Sequence, residues 1–390
     1  MYDLVVVGSG LFGLTVAESA ARLWDARVAI VEKRSHIGGN AYSEVDPETG
    51  IEVHKYGAHI FHTSNEEVWN YVRRFTDFND YVHRVLTTID GVVYPMPVNL
   101  GTINQFFGSA YSPDQARALV REQSSEIPAG RAEDNFETMG ISTVGRPLFE
   151  AFFRDYTAKQ WQTNPTDLPA GIARRLPVRY TYDSRYFSDP HQGLPLDGYA
   201  AWFERMVDSP NIDVFLNSDF FDEESSEKAT LTRDSTAGRV PVVYTGPVDR
   251  FFDYEYGRLG WRTIDFEVER PHTGDYQGCA VMNYGDLTVP ETRTIEFRHF
   301  NPEREYPGDR TIVYREFSRS ATADDDPYYP INTPSDQKMM HDYRRAMADT
   351  PGVLFGGRLG TYRYFDMDAT IAGALDMVRD DLASLLGSNL

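Results

Sequence analysis

The sequence contains a single cysteine, Cys279, and no apolar run longer than a β-strand. One cysteine excludes an intrachain disulfide and a zinc site built from cysteines. A membrane-spanning helix needs ~20 apolar residues in succession, so the short runs predict no membrane span. The sequence also shows no basic, apolar leader before its first predicted strand. We therefore expect no signal peptide and a cytoplasmic location.

Positive charge is scarce as well. The 390 residues include 38 Lys and Arg against 59 Asp and Glu, which gives a net charge of −21. This balance argues against nucleic acid or an anionic membrane as a partner. If the ligand is itself an anion, arginines set among aromatic residues have to supply the cations that hold it.

A glycine-rich turn near the N-terminus is the most informative motif present. Its glycines are Gly8, Gly10 and Gly13, between a short apolar run and a helix-forming stretch. In a dinucleotide fold the first glycine permits a tight turn, the second lets the backbone approach a pyrophosphate, and the third lets helix and strand pack closely. Glu32 ends the next apolar run, at the spacing where a carboxylate accepts both hydroxyls of an adenosine ribose.

A second glycine pair favours FAD over NAD. Gly38 and Gly39 come shortly after the acid and are followed by Asn40. They let the chain pass close to the same pyrophosphate, as in flavoproteins that retain FAD permanently. The alternative to a bound dinucleotide is that Gly8, Gly10 and Gly13 form an ordinary structural turn without a ligand.

The hydrophobic pattern predicts an α/β protein with a Rossmann-like FAD-binding domain, an inserted helical domain and an antiparallel β-sheet domain. We assign the FAD-binding domain to residues 1–80, about 195–250 and 350–390. The helical substrate domain takes about 99–176, with a mobile loop at 164–176. The sheet domain takes about 81–98, 177–194 and 251–349.

Three local patterns refine this division. Asp90-Gly91 between the β-rich runs 81–89 and 92–98 predicts a hairpin, and the prolines of its second strand place that strand at an edge. Apolar residues from Ile141 to Tyr156 recur at helical spacing and predict one longer helix. A further strand is predicted over 178–182.

Several unusual strings follow one another along nearly the whole chain. They are Gly57-Ala-His59-Ile-Phe-His62, Arg175-Leu-Pro-Val-Arg-Tyr-Thr-Tyr-Asp, Tyr186-Phe, Thr292-Arg293, Pro327-Tyr-Tyr329-Pro and Gly356-Gly-Arg358-Leu-Gly-Thr-Tyr-Arg-Tyr364-Phe-Asp366-Met367. In order and spacing they resemble the bacterial UDP-galactopyranose mutase family. The match does not depend on the glycine turn, which many flavoproteins share.

The resemblance implies a flavin-dependent isomerase that interconverts UDP-galactopyranose and UDP-galactofuranose with no net redox change. In that family N5 of reduced FAD attacks the anomeric carbon of galactose and displaces UDP. A flavin–sugar iminium then lets the ring open, and the ring recloses through the other hydroxyl before UDP returns. The resemblance also implies a homodimer and a furanose product used in cell-wall polysaccharide synthesis.

The same resemblance assigns residues to the substrate. Arg175, on the mobile loop, and Arg293 match the two arginines that bind the diphosphate, a role for which guanidiniums are suited because they stay protonated. The family's tyrosines that donate hydrogen bonds to the diphosphate match Tyr186, Tyr329 and Tyr364. Its uracil-binding helix matches Phe152 and Tyr156, and the tryptophan beside the mobile loop matches Trp161. Asn283 matches a further position that contacts the substrate.

The remaining matches are to family residues that surround the flavin. His59 and His62 lie in the family's histidine loop, where they surround the flavin and position substrate. The second flavin segment contains Gly357, Arg358, Asp366 and Met367. A helix N-terminus there can stabilise negative charge on the reduced isoalloxazine.

Each assignment has a simpler alternative when its residue is taken alone. Arg175 would be a solvated loop charge and Arg293 a member of a surface cross-strand pair. The tyrosines would be half-buried packing residues, Phe152 and Tyr156 plain core, and the histidines satisfied core residues. His54, His59 and His62 could suggest a metal site, but the histidine loop explains the same spacing, and we predict no metal. At the level of function, the alternatives are an FAD oxidoreductase of the amine-oxidase or monooxygenase sort and a non-catalytic UDP-sugar-binding flavoprotein.

Overall fold

The computed structural model describes residues 2–176, 178–222 and 231–387 of the chain. The strands are β1 Leu4–Val7, β2 Val28–Val31, β3 Ser43–Val45, β4 Glu52–His54, β5 Phe61–Thr63, β6 Val85–Ile89, β7 Val92–Met96, β8 His191–Gly193, β9 Ile212–Phe215, β10 Val242–Tyr244, β11 Trp261–Glu269, β12 Val281–Tyr284, β13 Arg293–Glu296, β14 Val313–Ser320, β15 Tyr329–Pro330 and β16 Val353–Phe355. The α-helices are α1 Leu11–Trp24, α2 Glu66–Val72, α3 Leu100–Phe106, α4 Pro113–Ser124, α5 Phe136–Val144, α6 Arg146–Phe149, α7 Asp155–Trp161, α8 Gly198–Val207, α9 Arg233–Thr236, α10 Val248–Phe251, α11 Pro334–Ala348, α12 Gly357–Gly360, α13 Met367–Met377 and α14 Ala383–Gly387.

A five-stranded parallel sheet forms the dinucleotide half of the molecule. Its order is β16-β10-β1-β2-β9, and every neighbouring pair is parallel. All residues of β1 and β2 are buried, as expected for central strands covered on both faces. The Rossmann-like α/β fold predicted from the glycine turn is therefore confirmed.

The second large sheet has seven strands in the order β15-β11-β14-β13-β12-β6-β7. The hairpin is confirmed, because Ile89 pairs with Val92 and the turn residues Asp90 and Gly91 both have positive φ. β7 is an edge strand, where its single proline, Pro95, is tolerated. The sheet is mixed rather than wholly antiparallel, since β6 and β12 run parallel.

Three local predictions differ from the structure. The single helix expected between Ile141 and Tyr156 is broken at Gly145, whose φ of 79° ends α5, and a π-helical segment at Glu150–Arg154 precedes α7. A residue at 145 with a Cβ would lie 2.7 Å from the Cβ of Gln123. The strand expected over 178–182 is reduced to one bridge between Val98 and Val178. The strand expected over 81–89 starts only at Val85.

The helices α3 to α7 pack around a separate cluster of buried side chains that includes Ile103, Val120, Phe136 and Phe149. Residues 164–176 follow α7 and contain two short 3-10 segments, Pro165–Asp167 and Ala170–Arg175. No helix within residues 2–176, 178–222 or 231–387 is long and apolar enough to cross a membrane. The division into three domains and the mobility of the loop stay predictions.

Candidate functional site

One continuous cavity of about 1670 Å³ joins the two large sheets. It is lined by the carboxyl ends of β1, β2 and β10 and by side chains of β11 to β14. Ligands of parallel α/β sheets bind beyond the carboxyl ends of the strands. Pockets for one small molecule occupy roughly 300 to 1,000 Å³, so this cavity has room for two ligands.

The first glycine turn has the geometry that the motif predicts. Gly8 has a φ of +97°, and a Cβ on Gly13 would lie 2.0 Å from the carbonyl oxygen of Gly8. A Cβ on Gly10 would meet no protein atom within 4 Å, although Gly10 lines the cavity. The space next to Gly10 is therefore open for a ligand, while Gly13 is required for packing.

The start of α1 and Glu32 complete this end of the cavity. α1 begins at Leu11 with no side-chain cap, so its free N–H groups and positive dipole end can face an anion. The Glu32 carboxylate is buried and is oriented by Ser9, which donates from its N–H at 2.8 Å and from its hydroxyl at 2.7 Å. The N–H of Arg34 donates to the other carboxylate oxygen at 2.8 Å.

The second glycine pair, Gly38 and Gly39, packs closely against the first glycine turn. Gly38 and Gly39 have positive φ values of 99° and 58°, and a Cβ on Gly39 would lie 3.0 Å from the Cα of Gly10. Asn40 accepts a hydrogen bond from Arg34 at 3.0 Å. Two close-packed backbone turns with a helix N-terminus and the buried carboxylate of Glu32 fit the pyrophosphate and adenosine of a dinucleotide.

The second flavin segment lies on the same cavity. Gly357 has a φ of +72° and packs against Phe12 of α1. Arg358 is bonded to the backbone carbonyl of Tyr328, and burial lowers the pKa of its guanidinium. Asp366 is the N-cap residue of α13, and Met367 is the first residue of that helix. All four predicted residues line the cavity.

Arg293 is the central cation at the other end. It begins β13, lies opposite Asn283 on β12, and donates from Nη2 to the Tyr156 hydroxyl at 2.7 Å. Its Nε has no hydrogen-bond partner among the described residues. Burial alone would lower the pKa of Arg293, but the nearby Glu316 carboxylate and several tyrosines raise it well above its usual range.

Tyrosines surround this arginine. Burial raises the pKa of Tyr329 to about 12 and also raises the pKa values of Tyr156 and Tyr364. These phenols therefore stay protonated and can donate hydrogen bonds. Tyr186 is 45% exposed and lines the cavity with the other three. Tyr364 already donates to Asp366 at 2.9 Å.

The other predicted substrate residues also reach the cavity. Asn283 has a buried Oδ1 with no partner in the described part of the chain. Phe152 is 4% exposed and packs edge-on against Tyr94 and Phe106, so most of its ring belongs to the helical core. Trp161 is half-buried at the end of α7. Because these residues line the same space as Arg293, the structure brings the set together.

The two histidines differ in their surroundings. His59 lies deep beside the cavity, with Nδ1 bonded to the carbonyl of Gly57 at 2.8 Å, and burial lowers its pKa. His62 is bonded through Nδ1 to Asp189 at 2.7 Å. His54 accepts from the backbone N–H of His59, so this nitrogen is already used within the protein. The side chain of Arg175 lies outside the described residues.

Three titratable residues near the cavity were not identified from the sequence. Glu316 is buried opposite Arg293, with Oε1 3.4 Å from its Nε. His83 is 5% exposed, and burial lowers its pKa to about 3, which keeps it neutral. Asp189 is the partner of His62. None belongs to a recognisable local motif, and each acquires its role from a residue distant in the sequence.

The chain is similar to known proteins in sequence and in structure. A sequence profile described as UDP-galactopyranose mutase matches residues 151–364, and one described as an NAD(P)-binding Rossmann-like domain matches residues 6–75. A Klebsiella pneumoniae protein named "Probable UDP-galactopyranose mutase" is 43% identical over 98% of this chain and 95% of its own length. The "dTDP-fucopyranose mutase" of Escherichia coli is 40% identical over 96% of this chain and 97% of its own.

A solved structure of reduced UDP-galactopyranose mutase has a TM-score of 0.73 to this chain at 14% identity, covering 98% of this chain and 94% of the other. At that identity the likeness concerns the fold alone. The family profile, by contrast, covers more than half of the chain, including Arg293, Tyr329 and Tyr364. Together with the 43% identity over nearly the full length, it shows that the chain belongs to the UDP-galactopyranose mutase family of flavoprotein isomerases.

Proposed function

We propose that this protein interconverts UDP-galactopyranose and UDP-galactofuranose, with FAD as a cofactor that is active when reduced. The observation that carries the proposal is the single cavity, which connects a dinucleotide cradle at Gly10 to the arginine–tyrosine group around Arg293. An FAD oxidoreductase would need the first feature but not the second. A nucleotide-sugar mutase needs both.

FAD is favoured over NAD by the second glycine turn. The close approach of Gly39 to Gly10 gives the pyrophosphate two backbone surfaces, which suits a cofactor that is retained rather than exchanged. Gly8, Gly13, Glu32, Gly38 and Asn40 would hold the adenosine diphosphate half. Gly357, Arg358, Asp366 and Met367 would hold the isoalloxazine half, with the N-terminus of α13 near its negatively charged edge.

Arg293 is proposed to bind the diphosphate of the substrate. Its guanidinium stays charged, and Glu316 and Tyr156 hold its orientation. UDP gains negative charge as it leaves the sugar, and a preoriented cation stabilises that charge without reorganising. Arg175 is proposed to close over the diphosphate from the loop at 164–176. Tyr186, Tyr329 and Tyr364 would add neutral hydrogen bonds that do not make release of UDP too slow.

The uridine is proposed to lie along α7. Tyr156 and Trp161 offer aromatic faces there, whereas Phe152 supports the wall from the helical core. Asn283 would pair its unsatisfied Oδ1 with a hydroxyl of the substrate, since a buried acceptor without a partner costs free energy. His59 and His62 would border the flavin and the sugar.

When bound in its reduced form, the flavin would supply the nucleophile for the anomeric carbon of galactose. The residues of this chain bind the diphosphate, exclude water and keep the sugar in position while the ring changes size. We also propose that the protein is a homodimer, on the basis of the family resemblance, and that it is cytoplasmic, as its single cysteine favours. Sedimentation at several concentrations measures the oligomeric state.

The experiment that tests the function uses purified, flavin-loaded protein reduced under anaerobic conditions. We expect it to convert UDP-galactofuranose to UDP-galactopyranose and, in a separate reaction, UDP-galactopyranose to UDP-galactofuranose. Both reactions should reach the same equilibrium mixture without consuming NAD(P)H or oxygen. Stoichiometric consumption of either would identify an oxidoreductase. dTDP-fucopyranose serves as a second substrate because the Escherichia coli relative is named for it, and faster turnover of that sugar nucleotide would reassign the substrate.

A further inference from the structure

A histidine and an aspartate from different segments form a close pair beside the cavity. His62 lies in the middle of β5, which pairs with β8 in antiparallel register so that His62 faces Gln192. Asp189 comes just before β8 and places Oδ2 2.7 Å from Nδ1 of His62. The strand pairing therefore fixes the backbones on both sides of this hydrogen bond.

The plane of the His62 ring is fixed as well. It stacks on Phe187 with ring centroids 3.6 Å apart and planes 16° from parallel. His62 and Phe187 line the cavity, and the His62 side chain keeps 14% of its surface exposed. A ring held by one hydrogen bond and one stacked neighbour has little freedom to rotate. Within the described part of the chain the His62 side chain makes one hydrogen bond, through Nδ1, and none through its second nitrogen, Nε2.

The chemistry of the partner determines which nitrogen carries the proton. An ionised carboxylate can only accept hydrogen bonds, so a neutral His62 bonded to Asp189 must carry its proton on Nδ1. The tautomer of a histidine is commonly set in this way by the group that its other nitrogen contacts. Nε2 is then left unprotonated, as an acceptor.

The position of the pair relates this acceptor to the sugar. Phe187 packs edge-on against Tyr186, which we propose as a diphosphate ligand, and lies beside His83, whose pKa is lowered in part by Arg293. The pair is thus next to the residues that would hold the diphosphate, which is bonded directly to the sugar. Sugar hydroxyls are hydrogen-bond donors suited to an unprotonated imidazole nitrogen.

We propose that Asp189 is a positioning residue that holds His62 in the Nδ1–H tautomer, so that Nε2 accepts a hydrogen bond from a hydroxyl of the bound hexose. The proposal deepens the proposed function and rests on it for the identity of the ligand. Asp189 itself acts only through His62. The tautomer is a property of the protein and is measured independently of turnover.

The first test is 15N NMR of histidine-labelled holoenzyme above neutral pH, with His62→Gln used to assign the signal. We expect a protonated Nδ1 and an unprotonated Nε2 in the wild-type protein. In Asp189→Ala the ring should shift toward the Nε2–H tautomer. Asp189→Asn, whose amide oxygen can accept the same bond, should retain the wild-type form. A wild-type His62 that is protonated on Nε2, alone or on both nitrogens, overturns the proposal.

The second test separates positioning from a structural role. Asp189→Ala should lower affinity for UDP-galactopyranose and kcat/KM by about 3- to 10-fold, the equivalent of one hydrogen bond, while the Kd of UDP and the flavin content stay unchanged. In a His62→Ala background the same substitution should have no further effect. Additive losses in both backgrounds, or weakened binding of UDP itself, would show that Asp189 supports the fold rather than His62.

The two proposals fail in different ways. If the wild-type protein does not isomerise its sugar nucleotide, the proposed function fails, while the NMR spectra and the comparison of UDP with UDP-galactopyranose binding still decide the role of Asp189. If isomerisation is observed and Asp189→Ala changes neither the tautomer nor sugar binding, only the positioning role is lost.

Discussion

Arg293 and Tyr156 are joined by a 2.7 Å hydrogen bond between a strand of the mixed sheet and a helix of the helical region. The arginine is the donor, so the phenolic proton of Tyr156 remains available for another acceptor. This arrangement places a charged and a neutral donor side by side on the cavity wall. It suits a diphosphate, whose oxygens can accept from both.

Replacing Arg293 with alanine should remove the charged donor. We expect kcat/KM to fall roughly 30- to 1,000-fold, as for other groups that stabilise developing negative charge, with flavin content unchanged. Arg310→Ala is the control, because Arg310 is exposed and, among the described residues, bonds only to Asp309 and the carbonyl of Glu48. Steady-state kinetics of the reduced proteins provide the comparison. If the Arg293→Ala enzyme is as active as the control, Arg293 does not bind the diphosphate as proposed.

Replacing Tyr156 with phenylalanine should have a smaller effect. The change keeps the aromatic face but removes the hydroxyl that accepts from Arg293, so kcat/KM should fall by about 2- to 12-fold. Tyr94→Phe is the control, because Tyr94 belongs to the cluster of buried side chains around α3 to α7 and does not line the cavity. If the two variants lose equal activity, the effect reflects packing of the helical core and not the hydroxyl at Arg293.

Two glycines of the turn, Gly10 and Gly13, allow an effect on cofactor binding to be separated from an effect on packing of the fold. Gly10→Ala places its Cβ in open space at an ordinary backbone conformation, so the apoprotein should keep its stability while its affinity for FAD falls by about tenfold or more, ~1.4 kcal/mol. Gly13→Ala forces its Cβ against the Gly8 carbonyl and should destabilise the fold by about 1 to 3 kcal/mol. Urea unfolding and flavin titration separate the two effects. The reverse pattern would contradict the assignment of the pyrophosphate to Gly10.

The turn itself was predictable from the sequence because its geometry is local. Gly8, Gly10 and Gly13 are set by the conformation of one short segment, and Glu32 follows at the end of the next strand. The contact between His62 and Asp189 could not be found in this way, because the two residues are 127 positions apart and meet only through the pairing of β5 with β8. Glu316 likewise depends on the register between β13 and β14, which a single sequence does not specify.

The helix predicted between Ile141 and Tyr156 shows a second limit of prediction from a single sequence. Apolar spacing around Gly145 is continuous with a helix, and glycine within a helical pattern is tolerated at modest cost. The helix nevertheless ends there, because Gly145 has a positive φ. A Cβ at this position would also lie 2.7 Å from the Cβ of Gln123 in α4, a tertiary contact that apolar spacing does not reveal. The family resemblance predicted site roles for Arg293, Tyr329 and Tyr364, which all line the cavity, whereas periodicity alone would have classed them as surface or packing residues.

Neutral His83 makes the stability of the protein dependent on pH. Its folded pKa is about 3, against about 6.5 in an unfolded chain. Between these values the unfolded chain binds one more proton, so the free energy of unfolding should fall as the pH falls, by about 1.4 kcal/mol per pH unit for this residue. The stability is fully present above about pH 6.5.

Urea unfolding between about pH 4 and 6 tests this dependence. His83→Gln should show a shallower slope than the wild-type protein, by about one proton. His272→Gln, at an exposed position, should keep the wild-type slope. Equal slopes for all three proteins would mean that His83 is protonated in the folded state.

The dependence of turnover on the redox state of the flavin tests the central claim most directly. Activity is measured anaerobically on samples in which the reduced fraction of bound FAD is set stepwise and followed by absorbance. We predict that the initial rate of UDP-galactofuranose conversion rises in proportion to the reduced fraction, that each flavin completes many turnovers, and that the flavin is still reduced at the end. Full activity of the oxidised protein, or one turnover for each pair of electrons supplied, would contradict the account.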